Sequence, residues 1–246
     1  MQRLGANDIY FDKTRDAYVL RAKPELALRR CTEFVGSFFE PYSSQRLSGQ
    51  LISSTGRYPG RTPSALQKSW ETARKKGIEI HEDIAKSIEE SCPPTHATAR
   101  RAIDWLHEHY PTARHAYAAE AIVYDESTAL AGTLDLIISN TSRNQHILLD
   151  WKTSRVIDIK SPYHKRGVRG PALNWEDCNY IRYSLQLSLY RYLLEANYGF
   201  NIDEQFIIHI TDTGLEPIPC RYMKREVELM LEFEGLIGAG AETASL

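Results

Sequence analysis

Two apolar runs each carry one isolated acid: Gly132-Thr133-Leu134-Asp135-Leu136-Ile137-Ile138 and Ile147-Leu148-Leu149-Asp150-Trp151-Lys152-Thr153-Ser154. Both have the branched, aliphatic content of strands. The polar segment 139–145 between them, with Asn140, Ser142 and Asn144, has turn chemistry. The simplest fold for this stretch is a two-stranded hairpin that brings Asp135 and Asp150 together. Side chains alternate along a strand, so Asp150 and Lys152 share one face and Trp151 takes the other. Two acids and an ammonium then converge among leucines and isoleucines, where an unpartnered charge is costly. A divalent cation bound by oxygen ligands is the natural partner for such a pair.

The rest of the chain fits around this hairpin as one domain, since 246 residues at 42% hydrophobic content can bury a sizeable core. The expected division is a hairpin and helical part over 1–112, a core over 113–236 and a flexible tail over 237–246. Ile9-Tyr10-Phe11 and Tyr18-Val19-Leu20 predict a short hairpin, followed by a helix over 30–39 that stops near Pro41. Gly56, Pro59, Gly60 and Pro63 mark a loop over 53–63. Thr62-Pro63 then opens a helix in the usual cap-then-proline order, running to about Glu90. A second helix is expected over 95–109. Strands follow at 113–124, 130–138 and 147–153, then a polar stretch over 154–176 and a periodic helix over 178–198 closed by Gly199. A strand pair at 205–211 and 216–222 and a helix over 224–236 complete the reading. The order helix, three-strand meander, helix, strand describes an α/β layer with a mixed sheet.

Thirty basic against 32 acidic residues give a formal charge of -2, so overall charge does not advertise a polyanionic partner. Contact with nucleic acid would have to come from local patches. Cys31, Cys92, Cys178 and Cys220 are scattered, without the short spacings of zinc or iron–sulfur ligands, and read as reduced thiols of an intracellular protein. The first ten residues lack an apolar signal core, Asp8 and Asp12 are out of place in a transit peptide, and no run has the length of a membrane span.

Several further residues could carry chemistry. His81 falls on one helical face with Ile78, Ala85 and Ile88, which points the imidazole inward; taken alone, a satisfied core histidine accounts for it. Glu120 is an acid in the alanine-rich strand Ala116-Tyr117-Ala118-Ala119-Glu120-Ala121, where a rim position on an edge strand would also explain it. Gln186 and Tyr190 lie one helical turn apart, on a helix boundary. Arg155, Lys160, Lys165, Arg166 and Arg169 make the segment after Lys152 strongly basic. Such a run is usually a solvated surface, but this one is sited to grip a phosphate backbone.

These residues, in this order, resemble the PD-(D/E)XK nuclease superfamily and, within it, the RecB-like exonuclease branch. Gly77-Ile78-Glu79-Ile80-His81 is similar to the branch's helical histidine motif, Gly132-Thr133-Leu134-Asp135 to its second motif, Asp150-Trp151-Lys152 to the D-x-K signature, and Gln186 with Tyr190 to its Q-xxx-Y helix. The proline that often precedes the first aspartate is Leu134 here. The four-cysteine cluster arrangement of some members is missing, so the resemblance is to the cluster-free mitochondrial exonuclease type and to relatives in large DNA viruses and phages, with no iron–sulfur cluster expected.

The resemblance implies a restriction-endonuclease-like core with an N-terminal helical elaboration. It implies hydrolysis of phosphodiester bonds in DNA, as an exonuclease on single strands or ends, with one or two Mg²⁺ or Mn²⁺ ions. Asp135, Asp150, the Trp151 carbonyl and His81 would be the metal ligands. Lys152 would orient the attacking water, Glu120 would assist as an outer ligand or base, and Gln186 and Tyr190 would position the substrate. DNA, and replication or repair proteins, would be the partners, in the cytoplasm or nucleus of the cell or of a viral host. Two alternatives keep the same fold: an RNA endonuclease of the cap-snatching type, and an inactive nucleic-acid-binding module.

Overall fold

The computed structural model describes residues 8–52, 58, 60–161, 164–211 and 213–238. The chain opens with a hairpin of β1 (Ile9–Asp12) and β2 (Ala17–Leu20), then the two-residue strand β3 (Arg29–Arg30). Four helices follow: α1 (Cys31–Gly36), α2 (Ser44–Leu51), α3 (Pro63–Glu90) and α4 (Ala97–His109). The meander comes next, as β4 (His115–Asp125), β5 (Leu130–Asn140) and β6 (His146–Lys152), all antiparallel. A short 3-10 turn at Gly170–Asn174 and the helix α5 (Asn179–Asn197) lead to β7 (Ile202–Ile210), which runs parallel to β6. The strand β8 (Leu215–Pro219) and helix α6 (Lys224–Phe233) complete the order. The result is a mixed six-stranded sheet with helices on both faces, an α/β architecture.

Two cores hold the layers together. On one face α1, α5 and α6 bury Phe34, Leu189, Leu193 and Met230 against Leu134, Ile137 and Leu148 of the sheet. On the other, Ile80 and Ile84 of α3 and Ala102 and Leu106 of α4 pack on Leu136, Ile138, Leu149 and Trp151. Since α1 shares the first core and β3 pairs with β5, the N-terminal part is built into the main sheet and does not stand apart from it. Among the described residues, no helix is long and apolar enough to cross a membrane.

Some boundaries differ from the sequence reading. The expected helix over 30–39 is cut at both ends. Arg30 is extended and pairs with Ala131, and the chain turns after Gly36 so that Phe38 and Phe39 are buried from a turn, with an apolar spacing that imitates a longer helix. The helix α2 had no clear signal, since its sequence Ser44-Gln45-Arg46-Leu47-Ser48-Gly49-Gln50-Leu51 is polar and contains a glycine. Gly56 and Pro59 of the expected loop, Pro162 and Tyr163 of the basic segment, and residues 239–246 of the expected tail lie outside the described residues.

Helix ends follow local chemistry. Thr62 accepts from the Ala65 amide at 3.3 Å with Pro63 in the first turn, and α3 stops at Ser91, whose φ of 54° takes the chain out of the helix. The start of α4 has no side-chain cap of its own. Its cap comes from α3: the Asp83 carboxylate accepts from the Thr95 amide and hydroxyl, both at 3.1 Å, and from the His96 amide at 2.8 Å. Burial works against the charge on Asp83, but these donors outweigh it and hold the carboxyl below its usual range. Replacing Asp83 with Ala is expected to cost about 1–2 kcal/mol, the usual worth of a good cap. Because the folded state lowers this pKa, the contribution is present at neutral pH and fades as pH drops below roughly 4. Thermal melts of wild type and Asp83→Ala at pH 7 and pH 3 check this: the Tm gap is wide at pH 7 and narrows at pH 3.

Candidate active site

Strand alternation breaks at one level of the sheet. Along β5, Leu130 and Leu134 pack toward α1 and α5, whereas Leu136 and Ile138, which share their parity, pack toward α3 and α4. The neighbouring β4 does the same, with Ala121 and Val123 in the first core and Tyr117 against the second. The pairs Ala119↔Leu136 and Ala121↔Leu134 flank the break, which leaves Glu120 opposite Asp135. Glu120 has φ of 46°, in the left-handed region that side chains avoid. Both acids therefore sit where the sheet changes the face it presents.

On the other side of β5 the register with β6 runs from Ser139↔His146 to Leu136↔Leu149, and one more step puts Asp135 opposite Asp150. There the ladder gives way to a side chain: the Trp151 amide donates to Oδ2 of Asp135 at 2.8 Å. The same oxygen lies 3.3 Å from His81 Nδ1, brought across by α3. The Lys152 ammonium touches Oδ2 of Asp150 and stands 4.6 Å from the centroid of the Tyr183 ring on α5. That Asp150 oxygen is buried, and the Lys152 ammonium is its partner. Glu120, Asp135 and Asp150 thus lie in line across three adjacent strands, with one cation beside the last and an imidazole on the middle one.

Burial and mutual repulsion set the protonation of this group. Glu120 is exposed at the cleft, but the protein atoms crowding its carboxyl and the Asp135 charge still push it up to about 7. Burial raises Asp150, with Asp135 adding to it and Lys152 opposing. Asp135 goes the other way, because His81, Lys152 and the Trp151 amide outweigh its burial. His81 and Lys152 are both held toward their charged forms by the aspartates, against the effect of burial.

A cleft of about 1440 Å³ opens over these residues, lined by His81, Glu120, Asp135 and Lys152. Asp150 is only 3% exposed. Taken alone His81 reads as a core histidine, but it stands at the cleft: α3 buries Ile80, Ile84 and Ala85, while Ile78 is 45% exposed and lines the cleft with His81, a position compatible with the ligand role that the resemblance implies. The helix is rotated so that its Ile80 and Ile84 edge meets the sheet, and the stripe through Ile78 and His81 looks into the cleft.

The remaining candidates fall into two groups. Arg155 and Lys165 line the cleft, Arg155 donating to the Tyr58 hydroxyl at 2.9 Å and Lys165 pairing with Glu40 at 2.9 Å. Arg166 donates to the Asn174 carbonyl, and Arg169 is tied to Glu234 and to the rings of Phe38 and Phe233, which makes both parts of the loop's own structure. Lys160 is exposed. Gln186 donates to the Tyr190 hydroxyl at 3.3 Å, and the buried Tyr190 ring lies against Gly132, on the strand that carries Asp135 and away from the cleft lining. Sequence reasoning missed Tyr183 and Arg182, which also line the cleft. Their only signal is helical spacing: Tyr183 lies one turn before Gln186 and Leu187.

The donor chemistry suits a hard divalent cation. Carboxylates supply the oxygens that Mg²⁺ and Mn²⁺ prefer, one imidazole nitrogen is compatible with Mn²⁺, and the crowding of acids that raises Glu120 and Asp150 is what a bound cation would relieve. Among the described residues, no three His, Cys, Asp or Glu side chains already converge as a cage. The donors are turned on His81 and Lys152.

No family model and no curated protein matches the sequence. One solved structure, "Crystal structure of SSO0001", is 13% identical with a TM-score of 0.39, over 85% of this chain and 74% of that one. Likeness at that level bears on neither fold nor chemistry.

Two substitutions test the local geometry. Glycine accepts the Glu120 backbone without strain, so Glu120→Gly is expected to stabilise the chelator-treated protein by about 1 kcal/mol in urea melts, through strain relief and removal of a carboxylate from beside Asp135. At Gly132 an added Cβ would meet Tyr190 Cε1 at 2.3 Å. Gly132→Ala is expected to cost about 1–3 kcal/mol, and Tyr190→Leu in the same chain to recover part of it, a non-additivity that a double-mutant cycle measures.

Proposed function

We propose that this chain is a Mg²⁺- or Mn²⁺-dependent nuclease of the PD-(D/E)XK type, RecB-like branch, with the restriction-endonuclease-like core its motif order implies. Its substrate is DNA, which it cuts as an exonuclease on single strands or ends. The observation that carries this reading is the line of Glu120, Asp135 and Asp150 across adjacent strands, with Lys152 on Asp150 and His81 on Asp135. A plain metal site has no use for a buried ammonium beside its acids. A phosphodiester hydrolase does, because negative charge builds on the phosphate as it is attacked.

The acids, His81 and the Trp151 carbonyl would hold the metal, and a bound Mg²⁺ or Mn²⁺ supplies Lewis-acid polarisation of the phosphate. Lys152, kept cationic by the aspartates, places a fixed positive charge where the phosphate gains negative charge. Tyr183 and Asp150 hold that ammonium between them. Glu120, with a carboxyl near 7, can take a proton at its side-chain oxygens at neutral pH, which suits a general base. Gln186 and Tyr190 act at one remove, since Tyr190 packs on Gly132 and so fixes β5 beneath Asp135. Arg155 and Lys165 offer charge for the backbone entering the cleft.

The test is digestion of single-stranded and duplex DNA by purified protein with Mg²⁺, Mn²⁺ or chelator. Cleavage is expected with either metal and not with chelator. Asp150→Ala and Lys152→Ala are each expected to lower the rate by about a hundredfold or more, while circular dichroism stays unchanged. Full activity in Asp150→Ala would sink the assignment.

A further inference from the structure

The end of the cleft remote from the acids carries rings. Trp70, Arg74, Gly77, Ile78 and His81 line the cleft from that end to the acids, and their spacing places them on one stripe of α3. With a helical rise of 1.5 Å per residue, Trp70 stands about 16 Å from His81 along the helix axis. Tyr42 meets Trp70 edge-on with centroids 6.3 Å apart, and is itself 68% exposed. Nearby in the lining, the Tyr58 ring has the guanidinium groups of Arg61 and Arg155 each 5.7 Å from its centroid.

Neither feature is explained by the core. A tyrosine that is two-thirds exposed adds little to folding, and keeping it beside a half-buried tryptophan leaves two aromatic surfaces facing the cleft. The cations differ in kind as well: Lys165 and Arg182 in the same cleft are held by Glu40 and Asp177, whereas Arg61 and Arg155 are gathered around a ring. Exposed rings with arginines between them and a phosphodiester site is the make-up of a surface that stacks unpaired bases and neutralises the phosphates joining them. A duplex hides its base faces in its own stack and offers nothing to such rings.

We infer that Tyr42 with Trp70, and Tyr58 with Arg61 and Arg155, are base-stacking and phosphate subsites for a single-stranded nucleic acid laid along α3 toward Asp135. This inference deepens the nuclease reading and rests on it for the direction of the strand. The span from Trp70 to His81 covers about three to five nucleotides. Strands shorter than that reach the acids without reaching the rings.

Fluorescence anisotropy with a labelled ten-nucleotide oligothymidylate in EDTA, where nothing is cut, tests the subsites directly. Tyr42→Ala and Trp70→Ala are each expected to weaken binding about tenfold. Trp70→Phe keeps a stacking face and should stay within about threefold of wild type, and the exposed position of Tyr42 makes Tyr42→Ala safe for folding. A labelled dinucleotide should bind all variants alike, and a blunt ten-base-pair duplex should bind more weakly than the single strand. Equal binding of duplex and single strand, no binding of the ten-mer, or binding untouched by Tyr42→Ala and Trp70→Ala overturns the inference. The two readings fail separately: ring-dependent binding without metal-dependent cleavage removes the nuclease and keeps the subsites, and cleavage with ring-independent binding does the reverse.

Discussion

The Trp151 amide finds its acceptor in a side chain, Oδ2 of Asp135, where the β5–β6 ladder would otherwise continue. Much else depends on that substitution. A backbone donor in the interior must be satisfied, and a carboxylate that satisfies it is fixed in place and kept ionised at once. On its other edge β6 pairs with β7 without a break through Asp150 and Lys152, which keeps its end at the level of Asp135. The opposite neighbour makes a matching concession, since Glu120 adopts a strained backbone at the same level of β4. Three acids come into line because the sheet bends its own rules on both sides of one residue.

Electrostatics follow from that line. Acids on adjacent strands oppose one another's ionisation, and the cost is divided unevenly among them. Asp135, with an amide and an imidazole, stays charged; Asp150 shares Lys152; Glu120, without a close cation, sits near neutrality of its proton equilibrium. Three residues of similar chemistry thus differ in what each can do, and the difference is set by their neighbours alone.

Much of this was legible in the sequence. The meander, the long helix after Thr62-Pro63 and the helix closed by Gly199 all follow from hydrophobic period and end signals that agree with one another, and agreement of that kind marks the reliable elements. The pairing of Asp135 with Asp150 follows from hairpin register. The break in alternation was not legible, because Leu134 and Leu136 look equivalent in an apolar run and only the backbone at Glu120 shows that they face opposite ways. The way His81 faces was only half legible: α3 has isoleucines at 80 and 84 and at 78 and 88, and packing decides that Ile80, Ile84 and Ile88 meet the core while Ile78 stays exposed at the cleft with His81. Tyr190 shows the limit in the other direction, since its spacing from Gln186 was plain but its burial on Gly132 required the third dimension. The aromatic end of the cleft depends on Tyr42, Tyr58 and Trp70, which are far apart in sequence and share no period.

The two halves of the site also differ in how far the chain must travel to build them. Asp135 and Asp150 belong to one hairpin, so closing a short loop brings them together, whereas His81 comes from a helix separated from them by α4 and β4. Closing a short loop costs less chain entropy than bringing distant segments together. An opening in which α3 lifts from the sheet would leave the acids and Lys152 in place while removing the imidazole and one wall of the cleft. The charged centre thus rests on a hairpin that closes locally, and the imidazole is added to it only by the packing of Ile80 and Ile84 on the sheet.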